Sequence, residues 1–563
     1  MADTPLQAAR RRAMALVNER TSNGWDSHYR ELAENISPWK SRFMASDRNK
    51  SMASRRGSNL LTGVARKANR TLSAGLMSGL TNPARPWFKL ETFDNDLLEF
   101  EPVKIWLERY EYVMGTILQR SNFYQSLPNM YGELGAFGMG AMSIMEDFED
   151  VILTNIFTVG EYAVGYDDRG KCNAFTREYE TTVENVVKKF GYKACTQTTR
   201  EAYDRGDYDN VVTCYHLMEA NHDESVWLGM GNNRPFRNLY WEKGALETKE
   251  LKEVFLSTNG MHEMGIVAPR WDTNSGDTYA SNFPGQDALA DIKQAHVMEK
   301  RKLNKLEKHN NPSMKGPASL RNERTSSLPG DMTYVPDNAN TKYEPSYTVD
   351  GNIRELREEI EGKKREIEEY FYVPIFQALM NDGRNQRATA REIAELHEEK
   401  LLAMGPVLNR LNYEGFDPMI MRVSRIMERA SAQGKLLPPP PPELKGTPIS
   451  VRYVSILAQA QRLVDVQAID RTATFVTTLG AAFPAALDRF DYDNAIDNYQ
   501  EITGAPVGIV VPLAKANAAR AARQKAEMAQ QQVALGAQGV ETAKQLSETS
   551  TQGSNALTDI LGL

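Results

Sequence analysis

The chain has 563 residues, 41% of them hydrophobic and 25% charged, with a formal net charge of -7 at pH 7. That length supports roughly two to four structural units with buried cores, and that composition excludes a largely disordered chain. The acidic balance excludes a grip on nucleic acid through overall charge, because affinity for phosphate rises with every Lys or Arg that releases a counterion.

From the start to about Leu80 the pattern is helical. Arg10, Arg11 and Arg12 are not followed by the continuous apolar core of a signal peptide, since Ala13 to Arg20 mixes apolar with polar residues. Trp25, Tyr29 and Leu32 share a helical face. Leu61, Val64, Ala68, Leu72, Leu76 and Leu80 recur every three or four residues until Asn82, Pro83 and Pro86 stop the helix. Trp106, Tyr110, Val113 and Ile117 predict another helix from Leu97 to Leu118. From Ala141 to about Pro269 the pattern changes to short β-rich runs, AMSIME, VILTNIFTV, CNAFTREYE, NVVTCYHLME and LKEVFLS, divided by Gly, Asn and Asp.

Between Ala288 and His309, the residues Leu289, Ile292, His296, Leu303 and Leu306 form one stripe, which predicts a helix about 33 Å long at 1.5 Å per residue. A second stripe, Ile353, Leu356, Ile360, Ile367 and Tyr370, is broken only by Lys363 and predicts a helix of similar length. Two equal helices around the Pro-rich segment Asn311 to Asn352 predict an antiparallel pair with that segment at its tip, the alternative being a disordered linker. Pro374 should kink or end the second helix. The stretch NDGRNQRATAREI, Asn381 to Ile393, then gathers Arg384, Arg387 and Arg391 before a capping box, Thr389 with Glu392, starts a helix bent near Gly405 and Pro406. A further helix from Pro418 to Ala430 precedes PPPPPE. Ile449 to Leu457 starts as a strand, Ala460 to Phe490 reads as mostly helical, and the Ala/Gln-rich end from Leu513 has helix propensity with little apolar face.

Signals for chemistry are weak. Cys172, Cys195 and Cys214 lie far apart without CxxC spacing, which suits a reducing compartment and neither a disulfide framework nor a zinc site. GELGAFGMGAM, Gly132 to Met142, lacks the Gly-Lys-Ser/Thr ending of a phosphate loop and reads as a turn or close helix packing. DRFDYDNAID, Asp488 to Asp497, has Ala495 and Ile496 where a calcium loop needs a ligand and a glycine, so it reads as a helix-capping turn. EDFED, Glu146 to Asp150, reads as a solvated turn between strands, and MHEMG and HLMEANH lack metal-ligand spacing. No apolar run approaches the roughly 18 residues of a membrane span. No catalytic residue, metal or cofactor is expected, and the chain is expected not to be an enzyme.

SGLTNPARPWFKL, VGEYAVGYDDRG, DALADIKQAHVMEK, RATAREIAELHEEKLLAMGPVLNRLNYEGFDPMI and RYVSILAQAQ, in that order along most of the chain, resemble the head-to-tail connector, or portal, proteins of short-tailed bacteriophages. The resemblance implies a predominantly helical α+β portal-type fold: an α+β wing (1–286), a helical-hairpin stem (287–310 and 353–378) and a small β-containing clip (311–352). A tunnel loop with wing helices (379–448), a helical crown (449–512) and a C-terminal barrel helix with tail (513–563) complete it. It implies a homo-oligomeric, usually dodecameric, ring in the virion, assembled in the host bacterial cytoplasm without a membrane. Double-stranded DNA would pass through its channel beside Arg384, Asn385, Gln386 and Arg387. Met314, Lys315, Arg321, Arg324, Tyr334 and Tyr343 on the clip would dock the terminase large subunit and then the tail adaptor, and major capsid and scaffolding proteins would be further partners. Another virion assembly protein, such as a tail adaptor, and a nucleic-acid enzyme are the alternatives.

Overall fold

A computed structural model describes residues 4–43, 60–94, 100–221, 234–245, 255–310, 353–381 and 404–434, with shorter stretches at 314–315, 344–345, 437–444, 449–454, 469–480 and 489–503 and parts of 516–528. The fold is mixed α and β with helix predominating, in two compact units, Met1–Ala458 and Gln459–Leu563.

The first unit opens with α1 (Pro5–Ser22) and α2 (Trp25–Ile36). A capping box between Thr4 and Gln7 starts α1, whose Leu6, Ala9, Ala13 and Leu16, spaced three or four apart, pack on one face of a five-stranded antiparallel sheet. The arginines that open the chain fasten it there: Arg12 Nε donates to Glu219 Oε2 (3.0 Å) and Arg10 to the Ala245 carbonyl (2.5 Å). After α3 (Val64–Leu80) come β1 (Phe88–Thr92), α4 (Glu101–Arg120) and α5 (Phe123–Phe137), then β2 (Ala141–Asp147) and β3 (Val151–Phe157). The turn EDFED joins β2 to β3, Asp147 Oδ2 accepting from the Glu149 and Asp150 amides at 3.0 and 2.9 Å. GELGAFGMGAM forms the end of α5 with Gly138 as its left-handed cap. Gly135 faces α3 so closely that a Cβ there would lie 2.4 Å from Asn69 Oδ1, so close packing sets the glycine.

The large sheet runs in the order β4 (Tyr162–Tyr166), β5 (Cys172–Thr182), β6 (Val211–Ala220), β7 (Phe236–Glu242) and β8 (Ser257–Met261). Leu217, Leu239 and Trp241 face α1, while Cys214 and Tyr240 face α6 (Val183–Phe190) on the other side. A short helix, α7 (Gln197–Asp204), follows α6. Both faces are covered, so β4 is buried from Tyr162 to Val164 and β7 from Asn238 to Glu242, and neither gives alternation to read. LKEVFLS contributes only its last residue, Ser257, to β8, and Leu256 turns into the α6 side of the core. β9 (Ile266–Val267) joins β2 and β3 in a separate sheet of order β3-β2-β9.

The helix α8 (Leu289–Asn310) and the strand β10 (Met314–Lys315) precede β11 (Glu344–Pro345) and α9 (Ile353–Tyr370). The break after α9 falls at Phe371 and Tyr372, the latter at a φ of 55°, and Pro374 sits in the first turn of α10 (Val373–Asn381). The kink or end that the sequence predicts at Pro374 thus falls just before it, and its missing N–H costs nothing in a first turn. α11 (Gly405–Arg410) then runs through one π-helical stretch, Leu411–Phe416, into α12 (Asp417–Gly434). The last strand of this unit, β12 (Ile449–Tyr453), pairs antiparallel with β1, Phe88 opposite Tyr453 and Thr92 opposite Ile449.

The second unit contains a helix over 469–480 and α13 (Tyr492–Thr503). Asp491 Oδ1 accepts from the Asn494 amide (3.0 Å), which makes DRFDYDNAID a capping turn. Arg520 bonds Asp493 (2.6 Å) and lies over the Tyr492 ring.

Candidate functional site

Helices α8 and α9 pair antiparallel into a hairpin. Ile292, Ala295 and Met298 of α8 and Ile360 and Ile367 of α9 fill its seam, and polar groups seal the edges. Lys363, the residue that breaks the second apolar stripe, reaches across to Asp291 Oδ1 (3.2 Å) and also bonds Glu366 (2.6 Å). Glu299 is nearly buried between Lys302 and Lys364, the latter at 3.2 Å. Burial alone would raise its carboxyl, but the two ammonium groups outweigh that and hold its pKa below the ordinary carboxylate value.

The base of the hairpin is built into the first unit. Phe371, Ile375 and Phe376 are buried, and the Phe376 ring lies so close to α3 that a Cβ on Gly75 would come within 2.1 Å of it. The Tyr372 ring sits 6.0 Å from that of Trp271. His296 Nδ1 on α8 accepts from the Leu61 amide (3.2 Å), tying the helix to the chain that enters α3, and burial lowers its pKa. At the far end β10 and β11 close a two-residue ladder, Met314 opposite Pro345 and Lys315 opposite Glu344. The segment 316–343 thus departs from and returns to adjacent points on a rigid support.

Met314 and Lys315 are in that ladder. Arg321, Arg324, Tyr334 and Tyr343 lie outside the described residues, as do Arg384, Asn385, Gln386 and Arg387 and the capping box at Thr389 and Glu392. The segment holding the latter group is bounded by Asn381, the end of α10, and Met404, which is buried.

A second assembly near this segment carries no sequence signature. Arg270, just after β9, meets Glu414 in the π-helical stretch through two parallel bonds, Nε to Oε2 (3.0 Å) and Nη2 to Oε1 (2.9 Å), and its own amide donates to Oε2 (3.1 Å). Their side chains are only 6% and 5% exposed. The guanidinium stacks 3.8 Å above the centroid of Tyr166 and donates to the Asp277 carbonyl (2.9 Å). Burial works against the cation, yet the Glu414 carboxylate raises the Arg270 pKa above its ordinary value. Beside this pair, Trp87 packs against Phe416 (5.4 Å) and Tyr453 (6.2 Å), and Tyr453 Oη donates to Asp417 Oδ1 (2.6 Å). PWFKL, VGYDDRG, NYEGFDP and RYVS, all within the segments that carry the family resemblance, therefore meet at one place.

On the other flank of α12, Glu263 receives Arg422 and Arg429 (3.0 Å), and Glu146 receives Arg429 (2.8 Å), so the charges of this cleft are mutually paired. Burial pushes the thiols of Cys195 and Cys214 up to about 11 and about 12, which leaves them protonated and poor nucleophiles. Among the described residues no group of three or more His, Cys, Asp or Glu could hold a metal ion, and no helix is long and apolar enough to cross a membrane. The arrangement is a rooted hairpin, a narrow ladder at its far end, and a turn locked by the Arg270–Glu414 pair.

A family model for the bacteriophage head to tail connecting protein matches residues 6–510. A curated relative from Salmonella phage epsilon15, named portal protein, is 39% identical over 562 residues, covering 100% of this chain and 98% of its own length. Another, from Bordetella phage BPP-1 and named probable portal protein, is 37% identical over 549 residues, 97% of this chain and 96% of its own. Among solved structures, a chain of the neck of an empty GTA particle is 12% identical with a TM-score of 0.29, covering 67% of this chain and 91% of that one, a likeness too weak to build on.

Proposed function

The chain belongs to the family of bacteriophage head to tail connecting proteins, and from that premise we propose that its copies close a ring at a capsid vertex, through which double-stranded DNA enters during packaging and leaves during ejection. The observation that carries this reading is the hairpin of α8 and α9, rooted at Gly75 and Phe376 and ending in the β10 and β11 ladder. Arranged about an axis, such hairpins form the stem of a tube, and the segments 316–343 form its outer rim, the clip. There the terminase large subunit docks during packaging and the tail adaptor afterwards. The rest of the first unit up to residue 448 is the wing, and the chain from 449 onward supplies the crown and C-terminal barrel inside the capsid, where major capsid and scaffolding proteins are neighbours. A dodecameric ring suits the family.

Large apolar side chains left exposed on one copy support assembly. Ile105 and Tyr112 stand two turns apart on one face of α4, and Phe93 and Phe148 are also exposed. In this reading an external ATPase drives the DNA and the ring itself does no chemistry. A conduit must let the duplex slide, and a net charge of -7 per chain avoids a wall that holds phosphate too tightly.

The loop Asn381 to Ala388 would carry Arg384 and Arg387 to the axis, with Asn385 and Gln386 adding neutral hydrogen bonds. Each exposed contact with phosphate is worth about a kcal/mol or less, so a circle of them retains stationary DNA while any single one releases readily. Changing Arg384 and Arg387 together to Gln is expected to leave ring yield and thermal stability unaltered and to increase leakage of packaged DNA, most clearly at low salt. Nuclease-accessible DNA from filled particles reads the effect. Unchanged leakage at low salt, with rings intact, would remove these two residues from the channel.

A further inference from the structure

We infer that neighbouring copies in the ring recognise one another through their hairpins, the basic outer side of α8 in one copy docking against the acidic outer side of α9 in the next. The inference rests on the ring reading above and names the surfaces that close it.

The hairpin is electrically lopsided. On the side of α8 facing away from the seam, Lys300, Arg301 and Lys308 are exposed around the exposed Val297, and none has a partner among the described residues. On the side of α9 facing away from the seam, Glu355, Glu358, Glu359, Glu366 and Glu369 are exposed. Arg354 bonds Glu358, Lys363 bonds Glu366 and Arg365 is exposed on the same side, but carboxylates still outnumber cations there. At 3.6 residues per turn Arg301 and Lys308 on α8 and Glu355, Glu358 and Glu369 on α9 lie opposite their own helix's seam residues, Ile292, Ala295 and Met298 on α8 and Ile360 and Ile367 on α9, while Glu359 and Glu366, each next to a seam isoleucine, lie on one flank. The positive and negative sides therefore point away from each other along the line that joins the two helices.

That direction decides the partner. A ligand on the axis would meet one edge of the hairpin between its helices, whereas a copy rotated about the axis meets one helix face with the opposite helix face. The contact is head-to-tail, the kind that closes into a ring. Rotation also preserves height. The Glu299–Lys364 and Asp291–Lys363 pairs bracket the level of one helix against the other, and midway between them Lys300 and Arg301 stand level with Glu358 and Glu359, with Lys308 within about two turns of Glu355. Opposite charges then meet without any axial shift, while two like sides, α8 on α8 or α9 on α9, repel.

The test is a charge swap on the full chain, read as the fraction of rings by negative-stain imaging and light scattering at low salt, with circular dichroism to follow folding. Lys300→Glu, Arg301→Glu and Lys308→Glu together, and separately Glu355→Lys, Glu358→Lys and Glu359→Lys together, are each expected to lower ring yield about tenfold or more. Mixing the two variants, or combining all six changes in one chain, is expected to restore rings. Failure of both mixtures and six-fold variant to recover, or normal rings from either triple variant, would overturn the inference. Normal rings from the α8 variant together with leakage of packaged DNA would assign its basic side to the channel instead. A wild-type chain that forms no ring would contradict the ring reading itself, which separates that failure from this one.

Discussion

Replacing Glu414 by alanine is expected to destabilise the first unit by about 3–5 kcal/mol, because it leaves the Arg270 guanidinium buried without its carboxylate. The loss exceeds that of an ordinary ion pair since Glu414 also accepts from the Arg270 amide, and that amide would be left buried. Changing both partners, Arg270→Met with Glu414→Leu, is expected to recover a large part, as apolar groups of similar volume need no counter-charge. The pair joins the end of β9 to the π-helical stretch, which holds α11 at the return of the segment 382–403. Weakening it should therefore loosen that loop before it disturbs the large sheet. Chemical denaturation followed by tryptophan fluorescence, with proteolysis between Asn381 and Met404 as the local probe, checks both parts. A single change as mild as the double one would show that the pair contributes little.

Replacing 316–343 by a short Gly/Ser turn is expected to leave rings at normal yield and to abolish capture of the terminase large subunit and the tail adaptor. Lys315 and Glu344 are opposite each other in the ladder, so a short turn can join them without disturbing α8 or α9. The hairpin keeps its own seam, its Lys363–Asp291 and Lys364–Glu299 bonds and its base at Phe376. A loop on such a support is well placed for binding and poorly placed to hold the body together. Pull-down of each partner by wild-type and shortened rings reads the outcome. Rings lost on shortening would make the tip an assembly element, and rings that still capture both partners would move the docking surface elsewhere.

Local patterns were legible because local physics makes them. The stripes of α8 and α9 record a seam that each helix presents to one neighbour, and even the interrupting Lys363 has a reason, since it spans the seam edge to Asp291. Asp491 and the EDFED turn were readable as caps and turns because their bonds reach only two or three residues. The pairing of β1 with β12 was not readable, since Phe88 and Tyr453 acquire each other only through the whole intervening fold. Arg270 is likewise indistinguishable in sequence from a surface arginine until Glu414 arrives from the π-helical stretch. Pro374 marked a break because a proline is disfavoured in the interior of a helix yet suits its first turn, and only the backbone at Tyr372 tells that the break precedes it. The stretch with Arg384 and Arg387 and the tip segment were legible as connectors from the helical patterns around them, and only their channel and docking roles rest on the resemblance, which the two experiments on these segments decide.

The central claim, that this chain closes into a ring around a channel, is tested most directly by cryo-electron microscopy of the purified protein without DNA or partners. The account predicts closed top views with an axial hole wider than a duplex, the α8 and α9 hairpins side by side around it and the segments 316–343 at one rim. A uniform population of folded 63.3 kDa monomers at micromolar concentration, or rings whose hairpins point away from the axis, would contradict it.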